Sequence, residues 1–508
     1  MTGSAHASTS SIVASDVNLK TNNAIVGKKP FSGSGPNGIE LLMPAGSLEK
    51  MQYAYAFGAD AVYAGVPFFS LRARENDFNY DDLIKAKELS VQTGKKLYLT
   101  ANILSRNLKL KPFKEQLAKF AAIKPDAMIM SDPGLMMMVK EAHPEIPIHL
   151  SVQANCMNWA AVKFWQQAGC SRIILSRELR LDEIKEIKQR VPDIELEAFV
   201  HGAICIAYSG RCMMSHYMSY RDANQGACDN SCRYPYKVFQ VPGEETVQDE
   251  FFIEDLREKG SFYEITEDDN GTYLMNAKDL CLIEYLKEIA DAGVCSFKVE
   301  GRTKSVYYAA MVTRAYRQAM DDLAAGKPYN PALMDELRKI SHRGYDTGFM
   351  VGGPNKESQN YKDGGTRLGT QKFAGVVRKN KKTNSTIIGS KSNTAGSEVG
   401  GRMLVEVRGT LKAGDKIEVV SPESSFITTV KGIYDKDGNL KDSAHPGSGC
   451  FNFEVDQAVN EYSLIIGTIL AAVISFAVIG GITFLIFLVY PSVMAGNRSR
   501  NIDATLPY

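Results

Sequence analysis

The sequence predicts an α/β fold: a (β/α)8 TIM-barrel-like catalytic domain with a cysteine-rich insert, then a small C-terminal β-barrel-like domain and one transmembrane helix. Three observations carry this expectation. Eight short β-type runs alternate with amphipathic stretches between residues 39 and 299. Four of the nine cysteines, Cys205, Cys212, Cys228 and Cys232, crowd into 28 residues. Near the C-terminus, Leu464 to Tyr490 runs 27 residues without a charge.

Residues 1–37 are rich in Ser, Gly, Ala and Asn and have no long apolar run, which is the composition of a disordered tail and not of an export signal. Strand candidates follow at Ile39–Met43, Ala61–Tyr63, Lys96–Ala101, Ala127–Met130, Ile148–Val152, Arg172–Leu175, Ile194–Val200 and Ser296–Val299. Amphipathic helical stretches lie between them, at Asp81–Thr93, Lys114–Ile123, Trp159–Ala168 and Leu181–Arg190. Strands alternating with helices of this length make βαβ units and a parallel sheet. Eight of them suit a closed barrel over residues 38–330, although a doubly wound open sheet has the same spacing.

A barrel of this kind carries its functional residues at the strand C-termini. The polar residues there are Asn102 after the third strand, Gln153 and Asn155 after the fifth, Arg177 after the sixth, His201 after the seventh, and Glu300 and Arg302 after the eighth. Taken singly, each fits a loop or a helix cap as well as a ligand contact. Their recurrence at strand ends is what marks a site. His201 is read either as a locally bonded strand-end histidine or as a substrate contact or proton carrier. Glu300 and Arg302 are read either as catalytic groups or as partners of each other.

Residues 331–370 read as a linker. From Gln371 the pattern turns to β, with strand candidates at Gly375–Arg378, Arg402–Val407, Lys416–Val420 and Ile427–Ile433. This second domain, residues 371–457, is expected to be a partial barrel with an open sheet edge. The apolar run at 464–490 exceeds the ~20 residues that cross a bilayer and is apolar on all sides, so a span is expected, with 491–508 as a tail. Arg498 and Arg500 beyond the run would hold that tail in the cytoplasm. Clustered cysteines without an export signal argue instead that the catalytic domain is cytoplasmic, tethered to the inner membrane. A formal net charge of +1 excludes a polycation, so any nucleic-acid contact must come from a local patch; residues 378–382 are the densest basic run.

The clustered cysteines have the spacing C-x6-C-x15-C-x3-C. Structural zinc usually takes two short knuckles, and only the second pair offers one. Four irregularly spaced cysteines also serve a [4Fe–4S] cluster. From the residues alone, zinc and iron–sulfur remain rivals. Buried free thiol, the ordinary role of cysteine, suits Cys156, Cys170, Cys281, Cys295 and Cys450 better than this polar cluster. No H-E-x-x-H occurs, and a Cys–His dyad of His201 with Cys205 would leave three cysteines unexplained.

The run from Glu197 through Cys205 to Ser215 resembles the signature of the U32 (U-thirty-two) peptidase family, long called collagenase-like proteases. LLMPAGSLEK, GADAVYAG, SVQANCMN, LSREL, NQGACDNSCRYPY and FKVEGRTKS match in order, over about residues 38–455. The resemblance is strongest to bacterial members that hydroxylate tRNA. It implies an oxygen-inserting enzyme that converts a wobble uridine to 5-hydroxyuridine, with a [4Fe–4S] cluster on Cys205, Cys212, Cys228 and Cys232 and with prephenate as a required metabolite. The two carboxylates of prephenate would suit Arg72, Arg177, Lys298 and Arg302. Tyr208, Tyr217 and Tyr220 are candidates to stack on an unpaired base. The alternatives are a peptidase and a non-catalytic, metal-stabilised RNA-binding protein.

Overall fold

The computed structural model describes residues 38–71, 77–205, parts of 207–232, three strands within 251–273, 277–352, Ser358, 368–379, 387–388, 401–456 and 462–468. Seven parallel strands come first: β1 (Glu40–Ala45), β2 (Ala61–Gly65), β3 (Lys96–Ala101), β4 (Ala127–Met130), β5 (Ile148–Leu150), β6 (Cys170–Ile174) and β7 (Glu195–Ala203). The insert carries β8 (Phe251–Glu254), β9 (Phe262–Asp268), β10 (Gly271–Tyr273) and β11 (Asp279–Cys281) before β12 (Ser296–Val299) returns to the sheet. β12 pairs in parallel with both β1 and β7, with Ser296 opposite Glu40 on one side and Glu197 on the other. That double pairing closes the barrel and rules out an open, doubly wound sheet.

The helices are α1 (Leu48–Ala56), α2 (Tyr80–Thr93), α3 (Asn107–Ala122), α4 (Pro133–Ala142), α5 (Trp159–Gln167), α6 (Leu181–Arg190), α7 (Leu286–Asp291) and α8 (Val306–Ala324). Their starts are set by polar residues at the strand ends. Ser47 caps α1, Asn79 and Asp82 make a reciprocal capping box on α2, and Ser305 caps α8. Asp132 accepts from Leu135 N at the start of α4, with Pro133 in the first turn. Alternate strand residues and the inner helix faces form one core in which Leu41, Met51, Leu97, Leu150 and Phe297 are fully buried.

Beyond α8, the segment expected as a linker contains α9 (Ala332–Arg338) and β13 (Tyr345–Asp346), which pairs with β11. The second domain is built from β14 (Gln371–Arg378), β15 (Ile387–Ile388), β16 (Gly401–Val407), β17 (Leu411–Lys412), β18 (Lys416–Val420), β19 (Ser425–Thr429), β20 (Gly432–Tyr434), β21 (Leu440–Lys441), β22 (Ser443–Ala444), β23 (Cys450–Val455) and β24 (Leu464–Thr468).

β24 corrects the expected transmembrane helix. The apolar run opens as a strand between β14 and β18, antiparallel to both, and so fills the edge that was expected to be open. The apolarity of this strand on both faces has a local cause. Leu464 and Ile466 pack into the core of the barrel domain, while Ile465 packs into the separate core of the β-domain. A strand buried on both faces reads as a continuous hydrophobic run. Among the described residues no helix is long and apolar enough to cross a membrane, so neither the expected tether nor the membrane partner has support in the structure. Residues 469–490 of the expected span lie outside the described residues.

The same two-faced burial docks the β-domain on the barrel. Val376 and Val420 join Leu464 and Ile466 in the barrel core. Tyr307 of α8 stacks on Phe373 at 5.3 Å, Tyr53 meets Tyr462 edge-on at 5.3 Å, and Lys339 pairs with Glu418 at 2.9 Å.

Candidate active site

A cavity of about 1040 Å³ lies over the C-terminal end of the barrel. The strands supply its floor: Tyr63, Thr100, Ile129, Ile174, Phe199 and Lys298. One wall comes from the insert, and the β-domain completes the rim with Lys372, Phe373 and Arg408. Two close backbone approaches hold the insert in place. A Cβ on Gly202 (φ +110) would stand 2.5 Å from the Glu300 carbonyl oxygen. A Cβ on Gly210 (φ +74) would stand 2.2 Å from the Gln153 carbonyl oxygen, so the insert can lie on the loop after β5 only with glycine there.

The structure brings six of the nine sequence-proposed catalytic and substrate-binding residues to this cavity. Asn102, Gln153, Arg177, Lys298, Glu300 and Arg302 line it. Asn102 accepts from Leu71 N at 3.0 Å and donates to the Ser151 hydroxyl at 3.2 Å. Arg177 donates to Glu300 Oε2 at 3.1 Å and to the Ala203 carbonyl at 3.2 Å, with its guanidinium 3.9 Å from the Phe199 ring centre. Arg302 donates to the Leu71 carbonyl at 2.5 Å, and its own carbonyl accepts from Lys50 Nζ at 3.2 Å.

Lys298 reaches the cavity from inside the barrel. Its ammonium is 2.6 Å from Glu197 Oε1 and 4.3 Å from the Tyr63 ring centre. Burial pushes its pKa down, and Glu197 offsets only part of that, so the net shift is downward. The pairing of β12 with β7 shifts register between Lys298 and Val299, beside the site.

Two proposed residues fall elsewhere, and one lies outside the described residues. His201 does not line the cavity. It is 1% exposed and packed among Tyr308, Tyr316 and Tyr345, with Nδ1 3.3 Å from the Tyr316 hydroxyl. Burial lowers its pKa to about 3, so the ring is neutral at ordinary pH. Cys205, in contrast, lines the cavity, so the two do not form an exposed nucleophile–base pair. Asn155 ends the short turn after β5 in the left-handed region (φ 53). Arg72 lies outside the described residues, as do Tyr217, Tyr220 and residues 380–382 of the basic run. Arg378 of that run pairs with Glu49 and Glu406, and Tyr208 is 51% exposed at the cavity edge.

All four clustered cysteines line the same cavity. Cys205 is exposed, and Cys212, Cys228 and Cys232 are half-buried. The other five lie away from it, Cys156, Cys170 and Cys281 being buried. Four thiols on one wall are a donor set chemically suited to iron–sulfur ligation. Among the described residues no three His, Cys, Asp or Glu side chains are grouped so as to hold a metal ion.

Sequence reasoning missed Lys50, Lys304, Lys372 and Arg408, all of which line the cavity. Lys50 and Lys304 stand within the motifs LLMPAGSLEK and FKVEGRTKS and could have been marked as strand-end cations. Lys372 and Arg408 carry no local signal, because domain docking alone brings them to the rim. Among the described residues the cavity is lined by seven cationic side chains and one carboxylate, that of Glu300.

Residues 46–360 match peptidase family U32, and residues 369–465 match the peptidase family U32 C-terminal domain. The chain belongs to peptidase family U32. It is 43% identical over 434 residues to tRNA hydroxylation protein P of Escherichia coli (strain K12), covering 81% of this chain and 92% of that protein. It is 43% identical over 455 residues to tRNA hydroxylation protein P of Haemophilus influenzae, covering 84% and 95%. A more distant relative, the collagenase of Porphyromonas gingivalis, is 31% identical over 330 residues, covering 62% of this chain and 74% of that protein.

Proposed function

We propose that this chain is a tRNA hydroxylase that converts a wobble uridine to 5-hydroxyuridine, using a [4Fe–4S] cluster on Cys205, Cys212, Cys228 and Cys232 and prephenate as a small carboxylate co-substrate. The observation that carries the reading is the composition of one cavity, where four thiols and seven cations meet at the C-terminal end of a barrel. The names of the two 43% identical relatives support the tRNA substrate.

The cations suit the phosphates of a tRNA strand and the carboxylates of a metabolite. Arg177 and Arg302 are held by carbonyl and carboxylate partners, which fixes their guanidinium planes toward the cavity. When bound, the cluster would supply electron-transfer chemistry at the wall where its four cysteines stand. Glu300 steadies Arg177, and the β-domain narrows access to the cavity with Lys372, Phe373 and Arg408.

The test is anaerobic purification of wild type and of the double variant Cys228→Ala, Cys232→Ala, with iron and sulfide analysis and mass spectrometry of tRNA incubated with each. Wild type should hold about four irons per chain and produce 5-hydroxyuridine, and the variant should do neither. Zinc or no metal in wild type, with tRNA left unmodified, sinks the reading.

A further inference from the structure

At the rim of the cavity, one aromatic ring and two cations are held together as a group. Phe373 of β14 lies flat on Tyr307 of α8, with ring centres 5.3 Å apart and planes 4° apart. Both residues line the cavity, but Tyr307 is buried and Phe373 only half-buried, so the accessible side of the stack belongs to Phe373. Lys372 precedes it in β14, is exposed, and lines the cavity as well. The chain leaving β16 is tied to the same strand, because Arg408 N and Gly409 N both donate to the Ala374 carbonyl, at 2.8 and 3.0 Å. A Cβ on Gly409 would stand 2.9 Å from the Phe373 carbonyl oxygen, so this approach requires glycine. Arg408 is thereby held near Phe373, exposed and lining the cavity, with Glu406 at 2.6 Å taking up part of its charge.

A polyanion that carries flat, unpaired rings fits this group. An aromatic face stacks on any base, and cations beside it suit the phosphates on either side of that base. A duplex fits poorly, because its bases already stack on one another. An acidic peptide would meet the cations and leave the ring uncovered. Resting on the tRNA reading above, we propose that Phe373 is a stacking platform for an unpaired tRNA base next to the one that is modified, with the flanking phosphates on Lys372 and Arg408. The base to be modified passes the rim and enters the cavity, where the four cysteines stand. Tyr307 belongs to the barrel, so its stack on Phe373 fixes the platform relative to the strand ends. The β-domain thus recognises single-stranded RNA for a barrel that carries the chemistry.

The test uses the full chain and anticodon stem–loop RNAs in which 2-aminopurine, whose fluorescence falls on stacking, replaces one loop base at a time. With wild type, a position next to the target should be quenched on binding, and with Phe373→Leu the same position should brighten. Phe373→Leu keeps an apolar contact with Tyr307 and should bind the stem–loop about tenfold more weakly, the scale of one base stacked on a ring. Its salt slope should stay that of wild type, because the phosphate contacts remain, and so should its affinity for a blunt duplex of the same length. Phe373→Tyr, which preserves the stack, should behave as wild type. If wild type quenches no loop position, the platform is overturned, whatever the stability of the variants. A Phe373→Leu protein with wild-type affinity, or one weakened equally on loop and duplex, overturns it too. So does a Phe373→Leu protein that binds RNA normally and needs more carboxylate co-substrate, since the ring would then serve the metabolite. Stacking without 5-hydroxyuridine removes the proposed reaction and leaves the platform standing, whereas hydroxylation without stacking removes the platform alone.

Discussion

The two ends of the barrel are built from the same charged residue types and use them in opposite ways. Toward the N-terminal end, Glu40, Glu195 and Glu197 face Lys96, Arg172 and Lys298, three carboxylates against three cations. Arg172 alone reaches Glu40 at 2.7 Å, Glu195 at 2.7 Å and Glu197 at 3.2 Å, and Tyr98 and Ser296 add hydrogen bonds to Glu40 at 2.6 and 3.0 Å. At the C-terminal end, Lys298 apart, the described residues lining the cavity include six cations and one carboxylate. Charge that is matched inside the protein holds the barrel together. An excess of cations along a cavity wall attracts an anionic ligand.

The sealed end is the place to break first. Arg172→Met leaves Glu40 and Glu197 buried without their shared partner, and should cost about 3–5 kcal/mol of stability in urea unfolding. Burial pushes the Glu40 carboxyl up, but Arg172, Tyr98 and Lys96 together pull it below its usual value, so the network is also acid-sensitive. A loss under about 1 kcal/mol would show that the sealed end is not held by this network.

A smaller, pH-dependent effect belongs to the same end. His149 is buried edge-on to Tyr98 at 4.8 Å, and burial, with Arg172 and Lys298 nearby, holds its pKa well below 6.5. The folded form therefore binds fewer protons than the unfolded form below pH 6.5. Its contribution is fully present above that pH and is lost as pH falls, by about 1.4 kcal/mol per unit. His201 adds a second slope of the same sign down to about pH 3. Between pH 6.5 and 5, where exposed carboxylates stay ionised, His149→Gln should flatten the stability profile by one histidine's share. An unchanged slope would mean that His149 titrates normally in the folded protein.

The barrel was legible because its strands carry a period that local sequence reports: Lys96–Ala101, Ala127–Met130 and Ser296–Val299 fall where the alternation puts them. The site was half legible for the same reason, since strand ends can be counted. What sequence could not report is what a residue faces across space. Lys298 reads as a free strand-end cation until Glu197 is found beneath it. His201 reads as a site histidine until three tyrosines surround it. Leu464–Thr468 joins the expected membrane span because a strand buried between two cores has no polar face to betray it.

The last prediction concerns the open end and should leave stability almost untouched. Lys372 is exposed at the rim, and Arg408 beside it pairs with Glu406 at 2.6 Å. Reversing Lys372 to Glu should change the unfolding free energy by no more than about 0.5 kcal/mol, because no buried partner is abandoned. If Lys372 meets a phosphate, tRNA affinity should fall and the slope of log affinity against log salt should shrink by about 1. Arg408→Glu should do less, since Glu406 already takes up part of its charge. Titrating tRNA binding at several salt concentrations separates the two ends of the barrel in one experiment. A Lys372 variant that lost stability and kept its salt slope would make the rim a second sealed network, and the contrast between the ends would be gone.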